Sequence, residues 1–360
     1  MLFMKAYLNA WNYVFEGLPN PFWKLMKHFS DLKYAWEKAP INEIKMTGIG
    51  DEYINRFLNL KTTLDPYEEI EKINQQGIQI ITYKEENYPK DLWNLHNYIT
   101  PFVLYFKGNL TTSNDLMIGI VGTRNMTGYG ESVTKNIVTD LAPYKPIIIS
   151  GMADGIDSVA HRAAISNNIT TFAVLGFGIN RIPYHKLKFA EEIIKNGAVI
   201  SEYPPDTKAQ KHYFPLRNRI ISGLSKALIV VEAGNKSGAL ITARCALDQG
   251  REIFAVPGNI GNEKSIGTNR LIRDCAADIL TGAEDIITHY KMPKIDRIHS
   301  DIFSDKQKKL VEKLLKSPCT KEDMMQMDLF SPGEFNATIT ELELTGVINK
   351  NREGKYYLSR

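Results

Sequence analysis

The chain has 360 residues, of which 43% are hydrophobic and 24% charged, so it can bury a sizeable core and is not disordered by composition. The length allows two or three domains, and a formal net charge of +3 permits a nucleic-acid partner without requiring one. Cys245, Cys275 and Cys319 lie too far apart for a CxxC metal motif or a disulfide framework, which predicts a reducing, cytoplasmic location. No apolar run approaches the roughly 20 residues of a membrane span, so we expect no membrane partner.

Residues 1–65 have the pattern of several short helices and are predicted to form a small N-terminal helical domain. Within it, an apolar helix, the turn Gly48-Ile49-Gly50 and a second helix at 51–59 resemble a helix-hairpin-helix. In that motif the backbone N–H groups of the turn contact a nucleic-acid phosphate. Because Gly-x-Gly turns between helices are common, a plain packing role is favoured over DNA binding.

Residues 66–290 are predicted to form the central domain, in which short apolar runs alternate with helical patterns from residue 116 onward. After strands at 78–82 and 100–108, the strands are predicted at 116–121, 147–150, 171–175, 198–201, 227–232, 252–256 and 278–280. Helices are predicted at 129–141, 157–167, 185–196, 215–224, 238–249 and 267–275. Such alternation indicates a parallel sheet covered by helices on both faces. The fold class is therefore α/β, with an extended Rossmann-like parallel sheet.

The C-terminal stretch is predicted to be a linker, residues 291–301, followed by a winged-helix domain, residues 302–360. Three helical patterns precede two short strands joined by a Gly-containing turn, which is the order of elements in a winged helix. The third helix carries Glu334, Glu341 and Glu343, which argues against its insertion into a DNA major groove. A protein contact or a structural role is favoured for this domain.

Glycines and polar residues follow several of the predicted parallel strands. Ligands of such sheets bind beyond the carboxyl ends of the strands, so these residues are candidates for a site. The residues concerned are Gly122, Thr123 and Arg124 after the 116–121 strand, Gly151 and Gly155 after the 147–150 strand, and Lys236, Ser237 and Gly238 after the 227–232 strand. A glycine turn that leads into a helix favours an anionic ligand.

The usual nucleotide-cofactor fingerprints are incomplete in this chain. Gly119-x-x-Gly122 is not GxGxxG, and the next strand ends in Ser150 rather than in an acidic residue that would bind a ribose. Asn235-Lys236-Ser237 lacks the glycines of a P-loop. Nicotinamide and Walker-type ATP binding are therefore disfavoured, and we expect no cofactor.

Asp157 and His161 share one face of a predicted helix at i and i+4, a spacing that some metal sites use. No third ligand is spaced to complete such a site. The favoured interpretation is that Asp157 caps the helix and His161 packs beside it. We therefore expect no metal.

The segment 211–219 interleaves cations with aromatic residues just before a helix. Phe214 could stack on a base, while Lys211, Arg217 and Arg219 could contact phosphates. The alternative is that the aromatic residues belong to the core and the arginines form salt bridges, and composition alone does not decide between the two. Arg124 in the first strand-end turn favours the anionic ligand.

Taken in order, these motifs resemble the DNA-processing protein A (DprA/Smf) family. The matching segments cover about residues 116–280: Ile120–Arg124, Ile149–Asp157 with His161, Ala173–Gly178, Ile200–Glu202, Phe214–Leu224, Val231–Ala233, Ser237–Ala243 and Ala255–Gly258. Their number and order make the resemblance specific.

The resemblance implies a protein, not an enzyme, that binds single-stranded DNA, forms a homodimer and helps to load the RecA recombinase in natural transformation. By motif, Gly122, Thr123 and Arg124 would contact backbone phosphate, Lys211 would add charge, and Phe214 would stack on a base. Arg217, Asn218 and Arg219 would add polar contacts. Gly151 and Gly155 are also expected among the DNA-binding residues, and Lys236, Ser237 and Gly238 would line the lip of the site.

Two other functions stay open at this point. The first is a nucleotide-processing enzyme of the lysine-decarboxylase-like, phosphoribohydrolase type. Its Pro-Gly-Gly-x-Gly-Thr segment is broken here by Asn259 in Pro257–Gly261, and Glu232 follows a different strand. The second is a protein-interaction scaffold whose binding is carried by the terminal domains.

Overall fold

The structure is a computed structural model that describes residues 2–95, 99–110, 116–292, 304–316, 318–327, 330–344, 347–351 and 354–358. Its contacts divide the chain into two units, Met1–Tyr290 and Lys291–Arg360. Most of the predicted linker, 291–301, lies outside the described residues.

A nine-stranded sheet forms the centre of the first unit. Its strands are β1 (Gln79–Thr82), β2 (Val103–Gly108), β3 (Met117–Val121), β4 (Ile147–Ser150), β5 (Thr171–Leu175), β6 (Gly197–Ser201), β7 (Ala227–Val230), β8 (Glu252–Ala255) and β9 (Asp278–Ile279). The order across the sheet is β1-β2-β6-β5-β4-β3-β7-β8-β9. Strands β3 to β9 are parallel, whereas β2 pairs antiparallel with both β6 and β1.

The helices of the first unit fall into an N-terminal group and a group that connects the strands. They are α1 (Leu2–Phe15), α2 (Pro19–His28), α3 (Leu32–Glu37), α4 (Ile41–Met46), α5 (Asp51–Thr63), α6 (Pro66–Gln75), α7 (Lys90–Trp93), α8 (Gly128–Leu141), α9 (Ile156–Ser166), α10 (Leu187–Asn196), α11 (Tyr213–Leu224), α12 (Gly238–Asp248), α13 (Ile266–Arg273) and α14 (Ala283–His289). Among the described residues, no helix combines the length and the hydropathy that a membrane span requires.

The strands form where the sequence is apolar at consecutive positions, because both faces of the sheet are covered. Every residue of β3, β4, β5, β6 and β7 is buried. The helices begin at polar caps: the Thr127 hydroxyl accepts from the Gly130 N–H at the start of α8, and the Ser237 hydroxyl accepts from the Ala239 N–H at the start of α12.

The N-terminal helices share one hydrophobic core with the sheet. Trp11 of α1 stacks on Phe57 of α5 at a centroid distance of 4.8 Å, and Phe22 of α2 stacks on Phe102 beside β2. Asn12 of α1 donates to the Glu202 backbone carbonyl, at 2.9 Å, just after β6. The predicted boundary near residue 65, like the rest of the four-part division of the chain, stays a prediction.

The second unit has its own small core and the elements of a winged helix. It contains α15 (Asp305–Lys316), α16 (Lys321–Met325), α17 (Pro332–Leu344) and the antiparallel hairpin of β10 (Ile348–Lys350) and β11 (Tyr356–Leu358). An isolated bridge joins Cys319 to Tyr356 as a third strand-like contact. Phe335, Ile339 and Leu342 turn the apolar face of α17 toward this core.

The predicted fold class is confirmed, with one addition: β1 and β2 extend the parallel sheet as antiparallel strands. One shift in a boundary concerns the site. Helix α11 begins at Tyr213, two residues before the predicted start, so that Phe214 is helical. Pro215 still lies within the first turn, where its missing N–H costs no intrahelical hydrogen bond.

Candidate functional site

A cavity of about 490 Å³ opens at the carboxyl ends of the parallel strands. The chain runs from β3 through β4 and β5 to β6 on one side, then returns to β7 on the other side of β3. Ligands of open α/β sheets bind at such a switch in strand order. The lining residues are Val121, Gly122, Thr123, Arg124, Ala153, Asp157, Lys211, Phe214, Pro215, Arg217, Asn218, Ile221, Ser237, Gly238, Ala239, Ile241 and Thr242.

Glu232, just beyond β7, holds the turn between β3 and α8 in place. Its buried carboxylate accepts from the Thr127 backbone N–H at 2.9 Å and from the Thr127 hydroxyl at 2.5 Å, while its backbone carbonyl accepts from Thr123 N–H at 2.8 Å. A side chain at Gly130 would collide with this carboxylate, since its Cβ would lie 2.4 Å from Oε2. These contacts fix the backbone of residues 122–127 beside the cavity.

Gly155 lets the loop after β4 pack directly against the same turn. Its φ is +78°, and a Cβ there would lie 2.3 Å from the Thr123 carbonyl oxygen. The neighbouring Ile156 N–H donates to that carbonyl at 3.3 Å. Gly155 therefore acts on the position of the 122–124 turn without lining the cavity itself.

Gly155→Ala should lower the free energy of unfolding by roughly 3 kcal/mol, because strain at positive φ adds to overpacking against the 122–124 turn. Gly77→Ala is the control for positive φ alone, since Gly77 has a φ of +69° with nothing within 4 Å of its Cβ position. It should lose only about 1–2 kcal/mol. Denaturant titration of both variants checks this, and equal losses would show that the contact with Thr123 carries no strain.

Arg217 lies at the inner wall of the cavity, and its guanidinium is bonded mainly to backbone at the ends of the strands. It donates to the Gly151 carbonyl at 2.9 Å and to the Val174 carbonyl, and is only 4% exposed. A Cβ on Gly151 would lie 2.6 Å from the guanidinium, so the glycine makes room for it. Burial lowers the pKa of Arg217 to about 10, although nearby Asp157 opposes the shift. The side chain therefore stays charged at neutral pH.

His161 packs in the core, as the sequence favoured, but Asp157 does not cap its helix: α9 begins at Ile156 with Gly155 at the N-cap position, and the Asp157 carboxylate accepts from the loop before the helix. Asp157 accepts from Gly151 N–H at 3.1 Å and from Ala153 N–H at 3.4 Å, and burial raises its pKa. His161 is fully buried, its Nδ1 lies 2.7 Å from the Thr171 hydroxyl, and burial lowers its pKa to about 3. In the part of the chain that the structure describes, no three His, Cys, Asp or Glu side chains are grouped to hold a metal.

The outer wall of the cavity combines exposed cations with an aromatic ring. The Arg124 guanidinium lies 5.6 Å from the centre of the Phe214 ring, within cation–π range. Phe214 is half-buried, and it packs so closely on Gly176 that a Cβ there would lie 3.1 Å from the ring. Arg124 and Lys211 are exposed, and neither forms an ion pair with a described carboxylate. Both charges are thus available to a ligand.

The N-terminus of α12 closes the third side of the cavity. Ser237 and Gly238 line it, and the Asn218 side chain donates to the Gly238 carbonyl at 3.4 Å while accepting from Arg217 Nε at 3.1 Å. The first N–H groups of a helix attract an anion. Three sequence-distant segments therefore converge on one cavity.

The structure brings together nine of the predicted site residues and leaves four outside the cavity lining. Those that line it are Gly122, Thr123, Arg124, Lys211, Phe214, Arg217, Asn218, Ser237 and Gly238. Gly151 and Gly155 shape neighbouring backbone, and Lys236 is exposed beside Ser237.

Arg219 requires a correction. Its guanidinium is buried and donates to both carboxylate oxygens of Glu202, at 2.8 and 2.5 Å. It also donates to the Leu216 carbonyl. For Arg219 the salt-bridge alternative for the 211–219 segment is therefore correct. We remove Arg219 from the set of candidate DNA contacts.

Two features of the site had no specific signal in the sequence. Glu232 was visible only as a strand-end residue, and its role depends on a turn more than 100 positions earlier. Ile241 and Thr242 of α12 also line the cavity, although Ile241 is one of the exposed apolar side chains of this helix.

A family model described as DNA recombination-mediator protein A matches residues 79–291. The chain belongs to this family. The match covers more than half of the chain and includes every residue that lines the cavity.

Curated relatives agree with this membership of the DprA/Smf family. The chain is 39% identical over 266 residues to the DNA processing protein DprA of Bacillus subtilis, an alignment that covers 73% of this chain and 86% of the relative. It is 35% identical over 298 residues to the protein Smf of Synechocystis, covering 81% of this chain and 74% of that protein.

Solved structures of DprA proteins have the same fold. The X-ray structure of DprA from Streptococcus pneumoniae superposes with a TM-score of 0.66 at 28% identity, covering 79% of this chain and 97% of that one. A structure of Helicobacter pylori DprA, described for its single-stranded DNA binding mode, superposes with a TM-score of 0.52 at 29% identity. It covers 59% of this chain and 96% of its own.

Proposed function

We propose that the cavity at the ends of β3, β4 and β7 binds single-stranded DNA. The observation that carries the proposal is that Phe214, whose ring lies under the Arg124 guanidinium, lines one cavity together with three cations and one carboxylate. Single-strand binders combine such cations, which follow the backbone, with aromatic rings on which bases stack. The similarity to the H. pylori protein supports the same ligand.

The shape of the site favours unpaired nucleotides over a duplex. Phe214 and Ile241 give the cavity two apolar walls, and a base can reach them only after it has left its stack. Backbone N–H groups at the start of α12 would donate hydrogen bonds to a phosphate beside it. A duplex would present phosphates and base edges, but its base faces stay stacked and could not reach Phe214.

The direct test measures fluorescence anisotropy of labelled single- and double-stranded oligonucleotides with the full chain at several salt concentrations. We expect a clear preference for single strands and an affinity that falls as salt rises. Equal affinity for both forms, or no binding at 50 mM salt, would refute the proposal.

Phe214→Ala should weaken binding of an oligo-dT strand by about 5- to 150-fold, the scale of one lost base–aromatic stack. The affinity for an abasic strand of equal length should change by less than about twofold, because the substitution does not remove the phosphate contacts. Phe189→Ala is the control, since Phe189 also lies under an arginine, Arg162, at 5.2 Å but outside the cavity. A similar loss for both strands would assign Phe214 a role in packing instead of stacking.

We infer further that the site binds without catalysing a reaction. The residues with acid–base chemistry near it are engaged elsewhere: Asp157 accepts from two backbone N–H groups, Glu232 from Thr127, and His161 is neutral and buried. Incubation with a panel of nucleoside monophosphates should release no free base. Release that depends on Asp157 or Glu232 would instead favour the phosphoribohydrolase type.

The finer part of the proposal is that the protein, as a cytoplasmic homodimer, loads RecA on single strands during natural transformation. Membership of a family described as recombination mediators supports it. The exposed Ile266 and Ile279, 43% and 50% accessible, lie on α13 and the sheet-edge strand β9 and suit a self-contact. Light scattering will give the mass in solution. The loading of RecA is tested by measuring its ATPase activity on single strands coated with single-strand binding protein, with and without this protein.

A further inference from the structure

We propose that the N-terminal helices hold the single-strand site in its working shape through a hydrogen bond between Glu16 and Tyr213. The inference rests on the proposed function and concerns how that site is built. It assigns Glu16 and Tyr213 as positioning residues, since neither lines the cavity.

The contact joins the end of α1 to the first residue of α11. The Tyr213 hydroxyl donates to Glu16 Oε2 at 2.8 Å, and the other carboxylate oxygen of Glu16 lies 3.3 Å from Arg56 of α5. Arg56 in turn donates to the Val14 carbonyl at 3.0 Å. Burial, reinforced by Glu16, raises the pKa of Tyr213, so the phenol remains the donor at neutral pH.

Backbone packing makes this connection stiff. Gly17, at a φ of +78°, lies so close to the segment after β6 that a Cβ would be 2.9 Å from the Glu202 carbonyl oxygen. Tyr213 stacks on the buried Tyr203 at 4.3 Å. The Tyr213 ring is thereby held between the end of α1 and the strand end.

Phe214, the stacking ring of the cavity, depends on Tyr213 through the chain. Phe214 is the next residue, and Lys211 lies two positions earlier in the loop that leads into α11. Tyr213 N–H also donates to the Gln210 carbonyl at 3.0 Å, which ties that loop to the same point. A shift of Tyr213 would therefore move the stacking ring first.

The test compares Tyr213→Phe with Tyr13→Phe in the full chain, using oligo-dT and an abasic strand. Tyr13 is a matched control because its hydroxyl donates to a glutamate, Glu69, at 2.6 Å, but away from the site. Tyr213→Phe should weaken oligo-dT binding by about 3- to 10-fold, the scale of one ordinary net hydrogen bond. The affinity of Tyr213→Phe for the abasic strand should stay within about twofold of the parent affinity. Tyr13→Phe should change the affinity for neither strand.

Two further variants keep the inference falsifiable. Glu16→Gln retains an acceptor for the phenol and should bind as the parent does, whereas Glu16→Ala should lose as much as Tyr213→Phe. Tyr213→Phe added to Phe214→Ala should cause no further loss, since positioning acts only through that ring. The inference is overturned if the Tyr213→Phe and Tyr13→Phe variants have the same affinity for oligo-dT. It is also overturned if the losses of affinity caused by Tyr213→Phe and Phe214→Ala add in the double variant. Absence of single-strand binding by the parent chain would instead refute the proposed function.

Discussion

Replacing Arg124 and Lys211 together with alanine will lower the affinity for a single strand by about 25-fold at 0.1 M salt. Each phosphate contact contributes about 0.7 to the slope of log affinity against log salt for single strands, so the slope should fall by about 1.4. Both side chains are exposed at the mouth of the cavity. Their removal should cost little stability.

The measurement is a salt titration of anisotropy for the double variant, for each single variant and for a control. Arg162→Ala with Lys72→Ala removes the same charge outside the cavity, and Arg162 also makes a cation–π contact with a phenylalanine. The control should keep the parent slope. An unchanged slope in the Arg124 and Lys211 variant, or an equal loss in the control, would show that the strand lies elsewhere.

Much of the fold could be predicted because the central strands are apolar on both faces. The strands at 147–150 and 171–175 lie at the predicted positions. A parallel strand covered on both faces is apolar at every position, so its sequence appears as a continuous apolar run. The antiparallel attachment of β2 to β6 is different. It depends on a pairing between residues about 100 positions apart, which no local pattern encodes.

The site shows the same division between local and long-range information. Turn glycines are local features of the sequence, and the strand ends that Gly122 and Gly238 follow meet at the cavity. Arg217 and Arg219 lie two residues apart on one helix, yet one lines the cavity and the other is paired with Glu202. That difference depends on the face of α11 from which each side chain projects. The sequence alone does not distinguish the two arginines.

The buried pair of Arg219 and Glu202 therefore makes the second strong prediction, on stability. Arg219→Ala leaves a carboxylate that is 1% exposed without its partner, and the free energy of unfolding should fall by about 3–5 kcal/mol. Lys135→Ala, which breaks the exposed pair with Glu131 at 2.6 Å, should cost less than about 0.5 kcal/mol. Denaturant titration followed by circular dichroism measures both.

The dependence on pH separates this explanation from a general packing defect. Burial raises the pKa of Glu202, and Arg219 opposes that shift, so the variant's carboxyl should titrate at still higher pH. With a folded-state pKa above the unfolded one, the ionised carboxylate destabilises the folded state, and this cost begins to shrink as pH falls through the folded pKa and is gone below the unfolded pKa. The deficit of Arg219→Ala should therefore shrink on acidification, whereas a packing defect would not change. If the variant instead keeps its stability and loses single-strand affinity as Arg124→Ala does, Arg219 contacts DNA and its pairing with Glu202 is not what holds it in place.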